Sequence, residues 1–378
     1  MLYNDQQIFL MMENNMFRSI IFATAILFSS SIFAHNDTCL DEIEKQEYNE
    51  SLHLNNCSIN DSDADRIANY LNRHRETTWI NLQSNNLSSV GFKKIVSAFQ
   101  IFVSVVNASK NIIDDEGAKA IAQNRNLTTI NLSENQIGDE GAKALAKNNV
   151  LMTLILNKNH ITATGAKEFI NNKNLHVLYI NSNMIGDEGA KALAQTNISS
   201  LELNNNQITD QGVYALASKR TITMRLMLAG NDITYRGAYE IAKNLNVQVV
   251  DLSNTKIGVQ GVRALAKNQW LRVLYLDNNQ LGDEGAKIIA QNTYLLTLSL
   301  NNNSISDDGA VAFETSPIET LSLSHNNIKD RGAMAFANNQ KILELDVSSN
   351  KIGSIGKDYL LKAKHFRKLN IKDNIENH

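Results

Sequence analysis

The stretch Leu127-Thr-Thr-Ile130-Asn-Leu132-Ser-Glu-Asn135-Gln-Ile137-Gly-Asp-Glu-Gly141-Ala-Lys-Ala-Leu145-Ala decides the fold, because the same text returns 24 residues later from Leu151 to Phe169. A fixed period of this size is the signature of a stacked repeat. Numbered by the asparagine, the units sit at Asn85, Asn111, Asn135, Asn159, Asn183, Asn206, Asn231, Asn279, Asn303, Asn326, Asn350 and Asn374. Thr255 fills the slot between Asn231 and Asn279, and Cys57 opens the series. Spacing is 23–25 residues from Asn111 onward and 28 and 26 for the first two steps. In each unit, Leu-x-x-Leu-x-Leu alternates as a short strand with one buried face does. The text after the asparagine, Gly-Ala-Lys-Ala-Leu-Ala, consists mostly of good helix formers. Asp115, Asp139, Asp187 and Asp283 stand where a helix begins and are expected to cap that helix and complement its positive end.

Strand then helix, repeated, predicts an α/β fold: a right-handed solenoid, or horseshoe, with a concave parallel β-sheet and convex helices. The array takes residues 51–378 as about 14 units of about 24 residues, behind an N-terminal cap at 35–50 and a leader with signal peptide at 1–34. Ile20 to Phe33 is apolar, follows Arg18 and ends in Ser-Ile-Phe-Ala, the order of a secretory signal, and is too short to span a bilayer. Met16 makes a better signal start than Met1, so the true start codon stays open. The chain should therefore be exported, to the periplasm or beyond it, with no stable membrane insertion of the mature protein.

Composition narrows the function. Of 378 residues, 36 are basic and 39 acidic, without the basic excess from which a general nucleic-acid binder draws its affinity. Asparagine is the anomaly, with 51 copies of a residue that disfavours helix and strand interiors. The repeat gives it a place: where each strand ends, a buried amide can donate to and accept from backbone groups that have lost their ladder partners. The asparagines from Asn85 to Asn350 are thus expected to form an internal ladder.

The repeated text resembles the leucine-rich-repeat family, and the glycine-initiated helix (Gly141, Gly165, Gly189, Gly212, Gly285) resembles its ribonuclease-inhibitor-like subgroup. Units of 24 residues look more like bacterial members, some of which are exported or act as effectors. The resemblance implies a non-enzymatic scaffold that binds a protein partner through its concave face, delivery to a host cell included. A periplasmic protein-binding or inhibitor scaffold is the alternative, and an enzyme of unrecognised type a distant one.

Alternation puts the residues between the repeated Leu and Ile positions on the concave face. Most are small and polar. Ile155, Tyr179, Met227 and Tyr275 are the exceptions at one strand position, flanked by Val177, Val249, Val273 and Arg225; aromatic and Arg residues are frequent interface anchors. Trp79 marks a possible second contact, and Glu202, Asp251, Asp277, Glu344 and Asp346 give the later units an acidic cast that would attract a basic partner. The alternative is ordinary half-buried strand and solubilising surface.

No cofactor or metal site is expected. Asp61-Ser-Asp63-Ala-Asp65 opens like a calcium loop, but Arg66 stands where the turn glycine belongs, and the eight histidines show no ligand spacing. Cys39 and Cys57 could form a disulfide after export, or Cys57 could be a free thiol in the asparagine slot. The charged last strand from Lys368 resists edge pairing, which leaves a monomer or a weak end-to-end dimer.

Overall fold

The computed structural model describes residues 39–41, 50–99, 102–218 and 225–374. The leader, the signal segment and most of the cap at 35–50 lie outside the described residues; Cys39–Asp41 is helical. The chain divides into two compact units, unit one up to Tyr179 and unit two from Ile180.

In unit one, β1 (Ser51–His53), β2 (Trp79–Asn81), β3 (Val105–Asn107), β4 (Thr129–Asn131), β5 (Thr153–Ile155) and β6 (Val177–Tyr179) pair in parallel, each beside the next in sequence. The register places the repeated apolar residues in one row: Leu52, Ile80, Val106, Ile130, Leu154 and Leu178. Each is buried under the helix side. Unit two repeats the plan with β7 (Ser200–Glu202), β8 (Arg225–Met227), β9 (Val249–Asp251), β10 (Val273–Tyr275), β11 (Thr297–Ser299), β12 (Thr320–Ser322), β13 (Glu344–Asp346) and β14 (Lys368–Asn370). Both units are α/β solenoids, as the repeat text implies.

The expected asparagine ladder is present. Asn159 donates from Nδ2 to the carbonyls of Leu132 (3.0 Å), Leu156 (3.2 Å) and Asn157 (3.3 Å), while its Oδ1 accepts from the Ile137 amide at 3.0 Å. One side chain thus closes the strand exit of its own repeat and of the one before. Thr255 keeps only part of this role, donating to the Leu252 carbonyl at 2.7 Å and meeting Asn279 Oδ1 at 2.9 Å.

A second ladder runs along the helix exits. Asn148 donates to the carbonyls of Ala122 and Asn124 at 2.9 and 2.8 Å and accepts from the Val150 and Leu151 amides. Asn172, Asn268, Asn292 and Asn339 do the same for their predecessors. These side chains satisfy carbonyls that a helix end leaves without intrahelical partners. The period of 24 residues that reveals the first ladder also marks this one.

The aspartates at the helix starts act differently from expectation. Asp139 lies in the first turn of the Asp139–Ala146 helix, but its Oδ1 accepts from the amides of Thr162 (2.8 Å) and Gly165 (3.0 Å), at the start of the next helix. Asp187, Asp210, Asp283, Asp307 and Asp330 repeat this forward reach in unit two. Asp61, from the calcium-like motif, caps the Ser88–Gly91 turn in the same way. The local reading failed because a first-turn side chain in a solenoid lies beside the neighbouring helix entry.

Where the carboxylate is missing, the backbone changes. Gly138 and Gly353 receive Asp115 and Asp330 and are extended, at φ −104° and −83°. Gly282 follows a repeat carrying Val259 in place of the aspartate. It takes φ +56°, and its amide donates instead to the Asn303 carbonyl at 2.9 Å. Gly258, following Tyr235, is also left-handed, at φ +54°. Glycine adopts that region without the steric penalty of a Cβ.

Candidate functional site

With the middle residue of each three-residue strand turned inward, the first and third define the outer sheet face. In unit one the third position is held by Asn81, Asn107 and Asn131, all buried, whose amides bond within the face. Asn107 Nδ2 donates to Gln83 Oε1 at 3.0 Å, and Asn107 Oδ1 and Asn131 Oδ1 accept from the Ser109 and Ser133 amides.

Farther along unit one, Ile155, Val177 and Tyr179 form an apolar cluster, at 1, 3 and 5% exposed. The expectation of open anchors is therefore corrected for these three. Ile155 is in register with Tyr179 and Thr153 with Val177, and strands about 4.8 Å apart bring such pairs into contact. Trp79 is half-buried and meets His53 edge to face, with ring centroids 4.6 Å apart. Burial of His53 pushes its imidazole below the usual histidine range.

Unit two offers more surface. Arg225, Val249 and Val273 are register neighbours on β8, β9 and β10, and Met227, Asp251 and Tyr275 form the parallel row. All except Met227, at 7% exposed, are half-buried. Arg225 pairs with Glu202 at 3.2 Å, and Asn181 Nδ2 donates to the same carboxylate at 2.8 Å. Arg225 Nε and the neighbouring Ser200 Oγ are buried without hydrogen-bond partners.

The acidic residues are more engaged than their sequence positions suggest. Asp277 Oδ1 accepts from Ser299 Oγ (2.6 Å) and the Asn301 amide (2.8 Å). Asp346 Oδ1 accepts from the Ser348 amide, and Glu344 pairs with Lys368 at 3.2 Å. Asp251 Oδ1 accepts from the Ser253 amide, yet desolvation holds its carboxyl above the usual carboxylate range, with the Asp277 charge adding to the rise.

The Cys39–Cys57 disulfide is formed, with Cα atoms 6.0 Å apart. It ties the N-terminal segment to the first ladder slot. Among the described residues no cluster of His, Cys, Asp or Glu is placed to hold a metal, and no helix is long and apolar enough to cross a membrane.

Parallel strand, ladder asparagine and returning helix, repeated in register, define a solenoid of stacked repeats. The chain belongs to the leucine-rich-repeat family. A model described as Leucine Rich repeat matches residues 123–146, 147–169, 171–194, 195–217, 243–266, 267–290, 291–313, 316–337 and 338–357, together more than half of the sequence. A search of curated proteins gives no significant match. Among solved structures the chain is similar to an internalin (inlF) from Listeria monocytogenes, at 21% identity over 82% of each chain and a TM-score of 0.52. It is also similar to TLR13 in a TLR13–ssRNA13 complex, at 20% identity over 81% of this chain and 47% of that one, with a TM-score of 0.53. Both are likenesses of fold.

Proposed function

We propose that the protein is an exported, non-enzymatic scaffold that binds a protein partner on the sheet face of unit two, through the grid on β8–β10. The observation that carries this reading is the grid itself. Half-buried Arg225, Val249, Val273 and Tyr275 lie on three consecutive paired strands, whereas the corresponding residues of β11 and β12 are Thr297, Ser299, Thr320 and Ser322. An arginine with one buried nitrogen lacking a partner beside half-buried ring and aliphatic surface has the composition of an interface anchor. Met227 lies in the same row of this face as Asp251 and Tyr275, and Asp251 and Asp277 favour a basic partner segment; Ile155, Val177 and Tyr179 belong to unit one and offer a partner little area there. Trp79 belongs to a separate contact.

The solved TLR13 complex holds a single-stranded RNA. A nucleic-acid partner is disfavoured for this chain because the grid and its borders set Glu202, Asp251 and Asp277 against Arg225, and a phosphate backbone needs an excess of cations. The apolar segment before His35 supports export. The glycine-initiated repeat supports the ribonuclease-inhibitor-like subgroup of bacterial type, with action on host proteins as an effector. The second reading, a scaffold retained in the periplasm, shares the same face; fractionation that finds mature protein only in the periplasm would select it.

The test of the face is crosslinking in the native compartment, comparing wild type with Arg225→Ala/Tyr275→Ala after matched melting curves establish folding. Loss of the crosslinked partner supports the grid. Equal capture by both proteins removes it.

A further inference from the structure

Ahead of the terminal Ser354–Lys362 helix, the helix side of unit two departs from its own repeat on two adjacent helices. The others open on at least one carboxylate, as with Asp210, Asp307 and Asp330, and two of them, with Asp187-Glu188 and Asp283-Glu284, carry Lys191 or Lys287 one turn later. The Tyr235–Lys243 helix has Tyr235-Arg236 and Tyr239 at those positions, and the Gly258–Leu265 helix has Val259-Gln260 and Arg263. The change costs the fold its helix-entry carboxylates. Tyr235 and Val259 remove the carboxylates that would cap the next helix, and Gly258 and Gly282 take up the loss as left-handed residues. A local rule broken on two adjacent helices is where a functional site is expected.

The two helices enclose a groove of about 850 Å³. Its floor is apolar, formed by the Tyr235 and Tyr239 rings with Ala242 and Ala264, and the two tyrosines are 44% and 54% exposed. Its rim is cationic: Arg236, Lys243, Arg263 and Lys267 against the single Glu240. Lys243 bonds Glu240 at 2.9 Å and lies 4.3 Å from the Tyr239 ring centroid, and Arg263 pairs with Glu284 at 2.9 Å. Arg236 and Lys267 form no ion pair among the described residues. Tyr214, 60% exposed on the preceding helix, is close enough to influence Lys243.

We propose that this groove is a second docking surface, for an acidic protein segment in which carboxylates alternate with apolar side chains. The carboxylates would meet Arg236 and Lys267, and the apolar groups would lie on Tyr235 and Tyr239. An uncharged polymer would leave the cations at the rim without counter-charge, and a basic segment would meet like charge there. The surface is independent of the β8–β10 grid, since every residue named here is on the helix side.

Fluorescence anisotropy tests it on the full mature chain, using a short labelled peptide of alternating glutamate and leucine, its lysine–leucine counterpart, and phosphatidylglycerol vesicles. The expected result is saturable binding of the glutamate peptide alone, weakened about tenfold by Tyr239→Ala, the loss typical of an interface anchor. Arg236→Glu/Lys267→Glu should weaken it by a similar factor, with unchanged melting. Lys143→Glu/Lys191→Glu, reversing charge on other helices, should leave binding within about twofold. No binding of the glutamate peptide, equal loss in the two charge-reversed proteins, or groove-dependent attachment to vesicles without peptide binding would each overturn the proposal. Intact binding by Arg225→Ala/Tyr275→Ala would show that the two faces act separately.

Discussion

The strand exit and the helix entry of each repeat pose the same problem, buried backbone groups that have left regular structure, and are closed by side chains reaching in opposite directions. At the strand exit Asn159 reaches back to the Ile137 amide of the previous repeat. At the helix entry Asp139 reaches forward to Thr162 and Gly165 of the next. The first closure recurs almost without exception, and the second is dispensable. The strand exit needs a group that both donates and accepts. The helix entry needs only an acceptor, and a left-handed glycine can turn the backbone amide toward a neighbouring carbonyl instead, as Gly282 does with Asn303.

The largest effect is therefore expected at the strand exit. Asn159→Ala leaves the Ile137 amide and the Leu132 and Leu156 carbonyls without their amide partner, and at about 1–3 kcal/mol per orphaned group should lower stability by about 3 kcal/mol in urea titration. Unchanged melting would remove the ladder as a stabilising element. Next comes the disulfide, which closes a loop with a sequence separation of 18. Cys39→Ser/Cys57→Ser should cost about 3 kcal/mol, and reductant should lower the wild-type melting temperature but not the variant's.

The helix-entry contrast is tested by two glycines. Gly282→Ala places a Cβ on a left-handed residue and should cost about 1–2 kcal/mol, although nothing lies within 4 Å of that Cβ. At Gly138 the backbone is extended and the nearest atom is Asp115 Oδ2 at 3.4 Å, so Gly138→Ala should change stability by less than about 0.5 kcal/mol. Equal costs would break the link between carboxylate and backbone conformation. Tyr235→Asp, restoring the missing cap, should stabilise by about 1 kcal/mol while weakening peptide binding in the helix groove.

The smallest effect is a pH dependence. Asp251 has its carboxyl raised in the fold, so its ionised form opposes folding, and stability from this group is lost as pH rises from the unfolded value through the folded one. Asp251→Asn should be slightly more stable than wild type at neutral pH, with the difference shrinking below the ordinary carboxylate range. A difference constant with pH would remove desolvation as its cause.

The fold was legible because one text repeats, and the strand-exit asparagines could be placed from alternation alone. The helix-exit asparagines are equally periodic, but their role is hidden in the sequence because their partners are carbonyls of the preceding repeat. The aspartates were assigned to their own helices because sequence adjacency hides the closer neighbour in space. The sheet face was assigned correctly, but its exposure was not. Alternation tells which side Ile155, Val177 and Tyr179 take and says nothing of how they cover one another across adjacent strands. The groove at Tyr235 and Tyr239 is hidden for a related reason: a repeat displays what its helices share, and the groove lies where they differ.

Forward-reaching aspartates have a consequence for anyone editing the array. A segment cut from one asparagine to the next carries its own carboxylate but leaves behind the one that caps its helix, so the module that repeats in the text is out of phase with the module that closes in space. Deleting residues 231–254 would bring Asp210 to the entry at Gly258, while deleting the next segment, 255–278, would bring Tyr235 to the entry at Gly282. Two excisions of equal length would thus leave one seam closed by a carboxylate and the other by backbone alone.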